Sequence, residues 1–255
     1  MTRDRVVVLA WQIAIGVATF AVWQWLATAR VIDPFFVSRP SDIVIRISSW
    51  VTSGVIWGHL FITLEEAALG LAVGAVLGIT LGFVLGRSPL VARVCDPYIT
   101  MLNGVPRVVL APIFLLWFGL GIWSKVALAV TLVFFVMFFN TYRGVRDADR
   151  VLVDNARMLG ASERQLVRHV LIPSALTWIF SSLHTSLGFA MVGAVVGEYL
   201  GASRGLGYMI SQAEGTFDTT GVFAGMVVLA SVVAVAGVGV TRLEGWLLRW
   251  KNSGA

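Results

Sequence analysis

RGVRDADRVLVDNARMLGASERQLVRHVLIP, residues 143–173, is the only long polar interruption in an otherwise apolar chain. It holds six arginines and four acids. It also carries Val151, Leu152, Met158, Leu159, Leu166 and Val167 at helical spacing. A solvated linker has no use for that apolar pattern, whereas a loop that plugs into another protein does. An acid suits the positive end of a helix, so Asp149 or its neighbour starts a first helix that runs through Asp154, Asn155, Ala156, Arg157, Met158 and Leu159. Gly160 stops it, as glycine does in the left-handed position after a helix. Ser162 caps a second helix, and Gln165, three residues on, completes a capping box. That helix ends before Pro173. The stretch therefore reads as two short helices hinged at Gly160, with Ala156, Met158 and Leu159 offering small and apolar contacts at the elbow.

The rest of the chain sets the context. Of 255 residues, 58% are hydrophobic and 13% charged, against about a quarter charged in soluble domains. The fold class is all-α integral membrane, with residues 1–255 as one transmembrane domain and 143–173 as its cytoplasmic loop. One cysteine, Cys95, excludes a disulfide framework within the chain. His59, His169 and His184 lie far apart and have no metal-ligand spacing. The net charge of +5 would suit nucleic acid, but in a membrane chain basic residues mark the cytoplasmic face, and no nucleic-acid partner is expected.

Six segments, roughly 6–28, 60–86, 97–120, 122–142, 174–200 and 221–243, are long enough to span the bilayer, whose apolar core takes about 20 helical residues. Pro97, Pro106 and Pro112 interrupt the third. The first follows Arg3 and Arg5 and precedes Ala27-Thr28-Ala29, which resembles a cleavage site. The apolar run 6–27, 22 residues, exceeds a signal core of about 7–15, so it reads as a retained helix. Six spans put both termini on one side. With that side cytoplasmic, 13 of the 19 basic residues lie inside and five outside, with Arg107 within the third segment. Trp23, Trp25, Trp57, Trp117, Trp123 and Tyr199 then gather at the outer interface, and Trp178 and Trp246 at the inner one. In the external residues 30–58, Pro40-Ser41-Asp42 reads as a helix start with Ser41 as cap, and the helix after it either lies flat on the membrane or is a plain loop helix.

Gly70, Gly74, Gly78, Gly82 and Gly86 recur every four residues and form one ridge of the second span. Small residues let backbones approach closely in lipid, so this helix is expected to pack tightly, within the chain or across a dimer. Gly193, Gly197 and Gly201 repeat the device in the fifth span. The glycine-rich loop 201–220 is expected to hold a short helix starting near Gly205. Glu65 and Glu66 are adjacent and diverge by roughly 100° on a helix, so they form no acid/base pair with each other. No phosphate loop, zinc-protease motif, nucleophile elbow or Cys–His pair occurs. The chain is not expected to be an enzyme or to bind a cofactor of its own.

The loop carries a family resemblance. Asp154-Asn155-Ala156, Gly160 and Val170-x-Ile172-Pro173 resemble the EAA loop, EAA-x3-G-x9-I-x-LP, of binding-protein-dependent ABC importer permeases, with matching spacing. Asp154 stands for Glu, Asn155 for Ala, Val170 for Ile and Ile172 for Leu. NGVPRVVLAPIFLLWFGLG (103–121), GASERQLVRHVLIPSAL (160–176) and GEYLGASRGLGYMI (197–210) are similar to the nitrate/sulfonate/taurine branch. The resemblance covers residue 58 to the C-terminus.

It implies a type I importer permease fold in the bacterial cytoplasmic membrane, generally as two copies. It implies a first loop helix that couples to a cytoplasmic ABC ATPase dimer, through Asp154, Asn155, Ala156, Met158, Leu159, Gly160 and Ala161. It also implies ATP-Mg on that ATPase, and an external solute-binding protein. In that setting Arg107, with Asn103 beside it, is a candidate for the translocation path and for attracting an anionic solute, because a charge inside a membrane is expensive. The plainer reading is that Arg107 reaches the cytoplasmic interface or pairs with a carboxylate. His184 is weighed as a further polar group of the path against a role as a hydrogen-bonded packing residue. The alternative to an importer subunit is an ion-coupled secondary transporter, against which no carboxylate cluster at the membrane centre and no inverted repeat is evident.

Overall fold

The structure, a computed structural model, describes residues 3–148 and 150–247, and every regular element among them is a helix. The order is α1 (Arg3–Thr28), α2 (Pro34–Val37), α3 (Pro40–Thr52), α4 (Val55–Arg87), α5 (Pro89–Gly104), a 3-10 turn (Arg107–Leu110), α6 (Ala111–Phe118), α7 (Ile122–Arg146), α8 (Arg150–Met158), α9 (Glu163–Leu166), a π turn (Val167–Leu171), α10 (Ile172–Leu200), α11 (Leu206–Gly215) and α12 (Thr219–Leu247). Five stretches are long and apolar enough to cross a membrane: in α1, α4, α7, α12 and the continuous run Glu163–Leu200. The sixth expected span is a broken one. Its two halves, Pro89–Gly104 and Arg107–Phe118, meet at 81°. Val105 is extended ahead of Pro106, as the residue before a proline must be, and a proline has no N–H to continue the ladder.

The core is a three-helix seam of α4, α7 and α10. The glycine ridge of α4 lies on α7 within the same chain. A Cβ on Gly74 would meet Val133 Cβ at 2.8 Å, on Gly78 Met137 Cβ at 2.8 Å, on Gly82 Thr141 Cβ at 3.0 Å and on Gly86 Val145 Cβ at 2.8 Å. Both sequences step by four, so the two helices run parallel with their ridges in register. From the other side Gly193 presses on the Ala129 backbone and Gly197 on Lys125. Here one number rises as the other falls, so α10 runs antiparallel to α7. Ala129 is fully buried between Gly70 and Gly193. Ala67, Val133, Met137, Ala190, Met191 and Ala194 fill the centre.

The remaining elements attach to this seam. α1 buries none of its apolar span in the chain. It is held at its C-terminal end, where Gln24 accepts the Ser41 N–H at 3.0 Å and Trp23 lies 5.7 Å from Phe223. The start of α3 differs from the sequence expectation. Arg39 is the N-cap and Pro40 the first helical residue. Ser41 therefore lies inside the first turn, with its N–H taken by Gln24 instead of serving as a cap. α3 is tied to the start of α12 by Arg46 and Asp218, 2.5 Å apart, and α2 by Ser38 and Thr220 at 2.8 Å. The short helix expected near Gly205 is α11.

Candidate functional site

The loop folds as its caps dictate. Gly160 has φ +78°, the left-handed conformation that favours glycine. Around it the Ala161 N–H donates to Ala156 O at 2.9 Å and the Gly160 N–H to Arg157 O at 3.0 Å, the paired bonds of a Schellman stop. Ser162 and Gln165 then close a capping box on α9, with the Ser162 N–H donating to Gln165 Oε1 at 2.8 Å. The expected start at Asp149 lies outside the described residues, and α8 is described from Arg150. Between α9 and α10 sits a π turn, Val167–Leu171, a rare geometry that recurs at working parts of proteins.

The elbow leaves its apolar side chains without cover. Leu159 is 88% exposed and Met158 79%. Asp154, Asn155 and Gly160 are exposed as well, whereas Ala156 and Ala161 are half-buried. Leu166, 3% exposed, anchors the second helix. Ala156, Leu159, Gly160, Ala161, Gln165 and Leu166 line a hollow of about 360 Å³ at the bend. Glu163 steadies the loop from both sides, 3.0 Å from Arg87 and 3.8 Å from Arg157. These pairs are open to solvent and are worth at most about 1 kcal/mol each.

The structure brings Asn103 and Arg107 together at the break of the bent span. The Arg107 guanidinium donates to the Asn103 carbonyl at 3.1 Å and to the Asn103 side chain, and lies 4.3 Å from the centre of the Phe135 ring on α7. Arg107 pairs with no carboxylate among the described residues. His184 is not part of this group. It is exposed on α10 and faces α12, where a Cβ on Gly237 would meet its Nε2 at 3.3 Å. Among the described residues its imidazole makes no hydrogen bond, which corrects the expectation of a hydrogen-bonded packing residue.

Sequence reasoning missed a polar cluster at the far end of the seam from the loop. Glu66, Lys125 and Glu198 are 3%, 1% and 1% exposed. Glu65 and Glu66 do diverge, with Glu65 exposed, but Glu66 turns to Glu198 instead. The pair lies at the end of the seam and not at its middle, so it is a different feature from a carboxylate cluster at the membrane centre, of which the sequence shows no sign. One signal could have found the group. Glu66 precedes Gly70 by one four-residue step, Lys125 precedes Ala129 by the same step, and Glu198 adjoins Gly197. All three lie on, or beside, the ridges that pack.

Membrane-length helices on glycine seams, with an apolar-faced loop at one end, define a multi-pass membrane subunit that works with partners. Residues 74–252 match the family described as binding-protein-dependent transport system inner membrane component, and the chain belongs to that family. It is an ABC importer permease subunit of the inner membrane, a transport subunit and not an enzyme. The chain is 37% identical over 233 residues to a protein named as an aliphatic sulfonates transport permease protein, SsuC, of Bacillus subtilis (strain 168), covering 91% of this chain and 84% of that one. It is 36% identical over 229 residues to the formylaminopyrimidine transport permease protein ThiX of Halalkalibacterium halodurans, covering 89% of this chain and 91% of the relative. The fold matches a chain of the MetNI methionine ABC transporter in an inward-facing conformation, with a TM-score of 0.64 at 19% identity over 72% of this chain and 92% of that one. The resemblance seen in the loop and the six-span importer fold are thereby borne out. Membership implies a separate ATPase and a solute-binding protein as partners.

Proposed function

We propose that loop 143–173 is the cytoplasmic coupling element of this permease, on a chain that is one transmembrane domain over residues 1–255. Both termini are then cytoplasmic and two copies of the chain form the pathway. α8 and the elbow dock into a cytoplasmic ABC ATPase dimer that carries ATP-Mg, through Asp154, Asn155, Ala156, Met158, Leu159, Gly160 and Ala161. The carrying observation is the exposure of Met158 and Leu159 on a loop whose backbone is fixed by a Schellman stop and a capping box. A loop this defined, with its largest apolar side chains outward, is built for an apolar groove. The parallel ridge of Gly70, Gly74, Gly78, Gly82 and Gly86 makes α4 and α7 one rigid body, so force applied at the loop moves the seam as a unit.

Asn103 and Arg107 are proposed to line the path at the bent span. A guanidinium over an aromatic ring presents both positive charge and a π face. That chemistry suits a small anionic or heterocyclic solute, in keeping with the aliphatic sulfonates and formylaminopyrimidine in the names of the two relatives. His184, on the other side of α10, is left out of the path.

Reconstitution tests the reading against an ion-coupled transporter. Proteoliposomes holding the permease and its ATPase, supplied with binding protein outside, are expected to take up solute only with ATP inside. Uptake driven by an ion gradient without ATP or binding protein would overturn it.

A further inference from the structure

Glu66, Lys125 and Glu198 come from three different helices and are buried together at the end of the bundle opposite the loop. Glu198 is fully engaged as an acceptor. Its Oε1 takes the Thr63 hydroxyl at 2.6 Å and its Oε2 the Gly207 N–H at 2.7 Å. Thr63 Oγ1 in turn accepts the Leu206 N–H at 2.9 Å, and His59 Nδ1 accepts the Gly205 N–H at 3.0 Å. Three successive backbone N–H groups, 205 to 207, are thus held by side chains of α4 and α10. Gly205, at φ +112°, turns the chain into α11 at this point.

Glu66 has no such donors. Its Oε2 is buried with no hydrogen-bond partner. It lies within hydrogen-bonding reach of Glu198. Two ionised carboxylates are both acceptors and cannot bond each other. Lys125 faces the pair, but its Nζ is already 2.6 Å from Leu120 O and 3.1 Å from Gly121 O, and no ion pair joins it to either acid among the described residues. Glu65, on the exposed side of α4, is the other charged group acting on Glu66, and Arg204 acts on His59 at the rim. One ammonium therefore serves two acids in a site closed to water, where an uncompensated charge is costly.

We propose that Glu66 and Glu198 bind one proton between them, and that this proton site positions backbone 205–207 and hence α11 at the far end of the bundle. The proton is held on Glu66, which donates to Glu198. Glu198 stays ionised and keeps its two donors, and the buried Lys125 ammonium balances its charge from nearby without a direct ion pair. The cluster is then uncharged overall, and every group on Glu198 is satisfied. The site is independent of the coupling role proposed for the loop.

The assignment predicts an asymmetry between two acids that look alike. In Glu66→Gln the amide N–H replaces the carboxyl O–H as donor to Glu198. In Glu198→Gln the site loses the ionised acid that balances Lys125, and one acceptor oxygen becomes an NH2 that either meets the Gly207 N–H donor against donor or forces the Thr63 hydroxyl round to the His59 carbonyl, 3.1 Å away. The test uses the permease–ATPase complex with its binding protein in proteoliposomes, beside thermal unfolding of the same complex. Glu66→Gln is expected to keep uptake within about twofold of wild type, and Glu66→Ala and Glu198→Gln to lose about tenfold or more, as for a buried group left unsatisfied. Rescue of the alanine loss by glutamine marks the proton and not mere bulk. Infrared spectra of wild type are expected to show a protonated buried carboxyl band that is absent from Glu66→Gln. Equal damage from Glu66→Gln and Glu198→Gln would overturn the proposal, as would a wild-type spectrum without that band or a band that survives in Glu66→Gln.

Discussion

Gly160 occupies a conformation that side chains with a Cβ rarely adopt, and no neighbour lies within 4 Å of where a Cβ would go. The cost of a replacement is therefore backbone strain and not collision. Gly160→Val is expected to raise the energy of the elbow by about 1–2 kcal/mol, to leave the membrane helices folded, and to weaken ATPase copurification by roughly tenfold. Arg107→Ala is expected to lower solute uptake while ATPase copurification stays as in wild type, because among the described residues the guanidinium's hydrogen-bond and ring partners are Asn103 and Phe135, not the loop. Uptake at the wild-type rate would remove Arg107 from the path. At this scale the sequence was legible where a residue's role is local. Gly160, Ser162 and Gln165 declare a stop and a cap through spacing alone. Glu198 was legible only as a residue beside the Gly197 ridge, because its partners Thr63 and Glu66 come from distant stretches of chain.

Between elements, the α4–α7 contact is the clearest consequence of periodicity. A Cβ on Gly78 would sit 2.6 Å from the Phe134 carbonyl oxygen and 2.9 Å from the Phe138 nitrogen. Those are backbone atoms, which cannot move aside as a side chain can. Gly78→Leu is expected to separate the two helices and abolish recovery of folded protein. Gly58→Ala, on the same helix with nothing within 4 Å, is expected to purify and unfold like wild type; size-exclusion profiles and thermal unfolding compare the two. The four-residue repeat announced a packed ridge but left its partner open, since periodicity in one helix does not say which other helix lies against it. The answer is written in α7, where Ala129, Val133, Met137, Thr141 and Val145 keep the same step. The 81° break was legible only as an interruption. Pro106 removes an N–H and straightens Val105, but the angle is fixed by what α6 packs on.

For the whole molecule, the seam of α4, α7 and α10 is complete within one chain, whereas other faces are not. The α1 span is left uncovered by the chain, and Leu116, Trp117 and Leu120 at the bent span are 83%, 68% and 68% exposed. Lipid and a second copy of the permease are the proposed cover. Light scattering of the detergent-purified assembly is expected to give two permease chains with two ATPase chains, and a single permease chain per assembly would count against the two-copy pathway. Loop 143–173 is proposed to join the membrane seam to the ATPase. The most direct measurement is copurification of the ATPase with tagged permease in which Met158→Asp and Leu159→Asp are combined. Full burial of one such side chain is worth about 1.5–3 kcal/mol, so loss of both is expected to remove the ATPase from a permease that still elutes as a folded membrane protein. Retention of the ATPase at the wild-type ratio, together with ATP-driven uptake, would contradict the account.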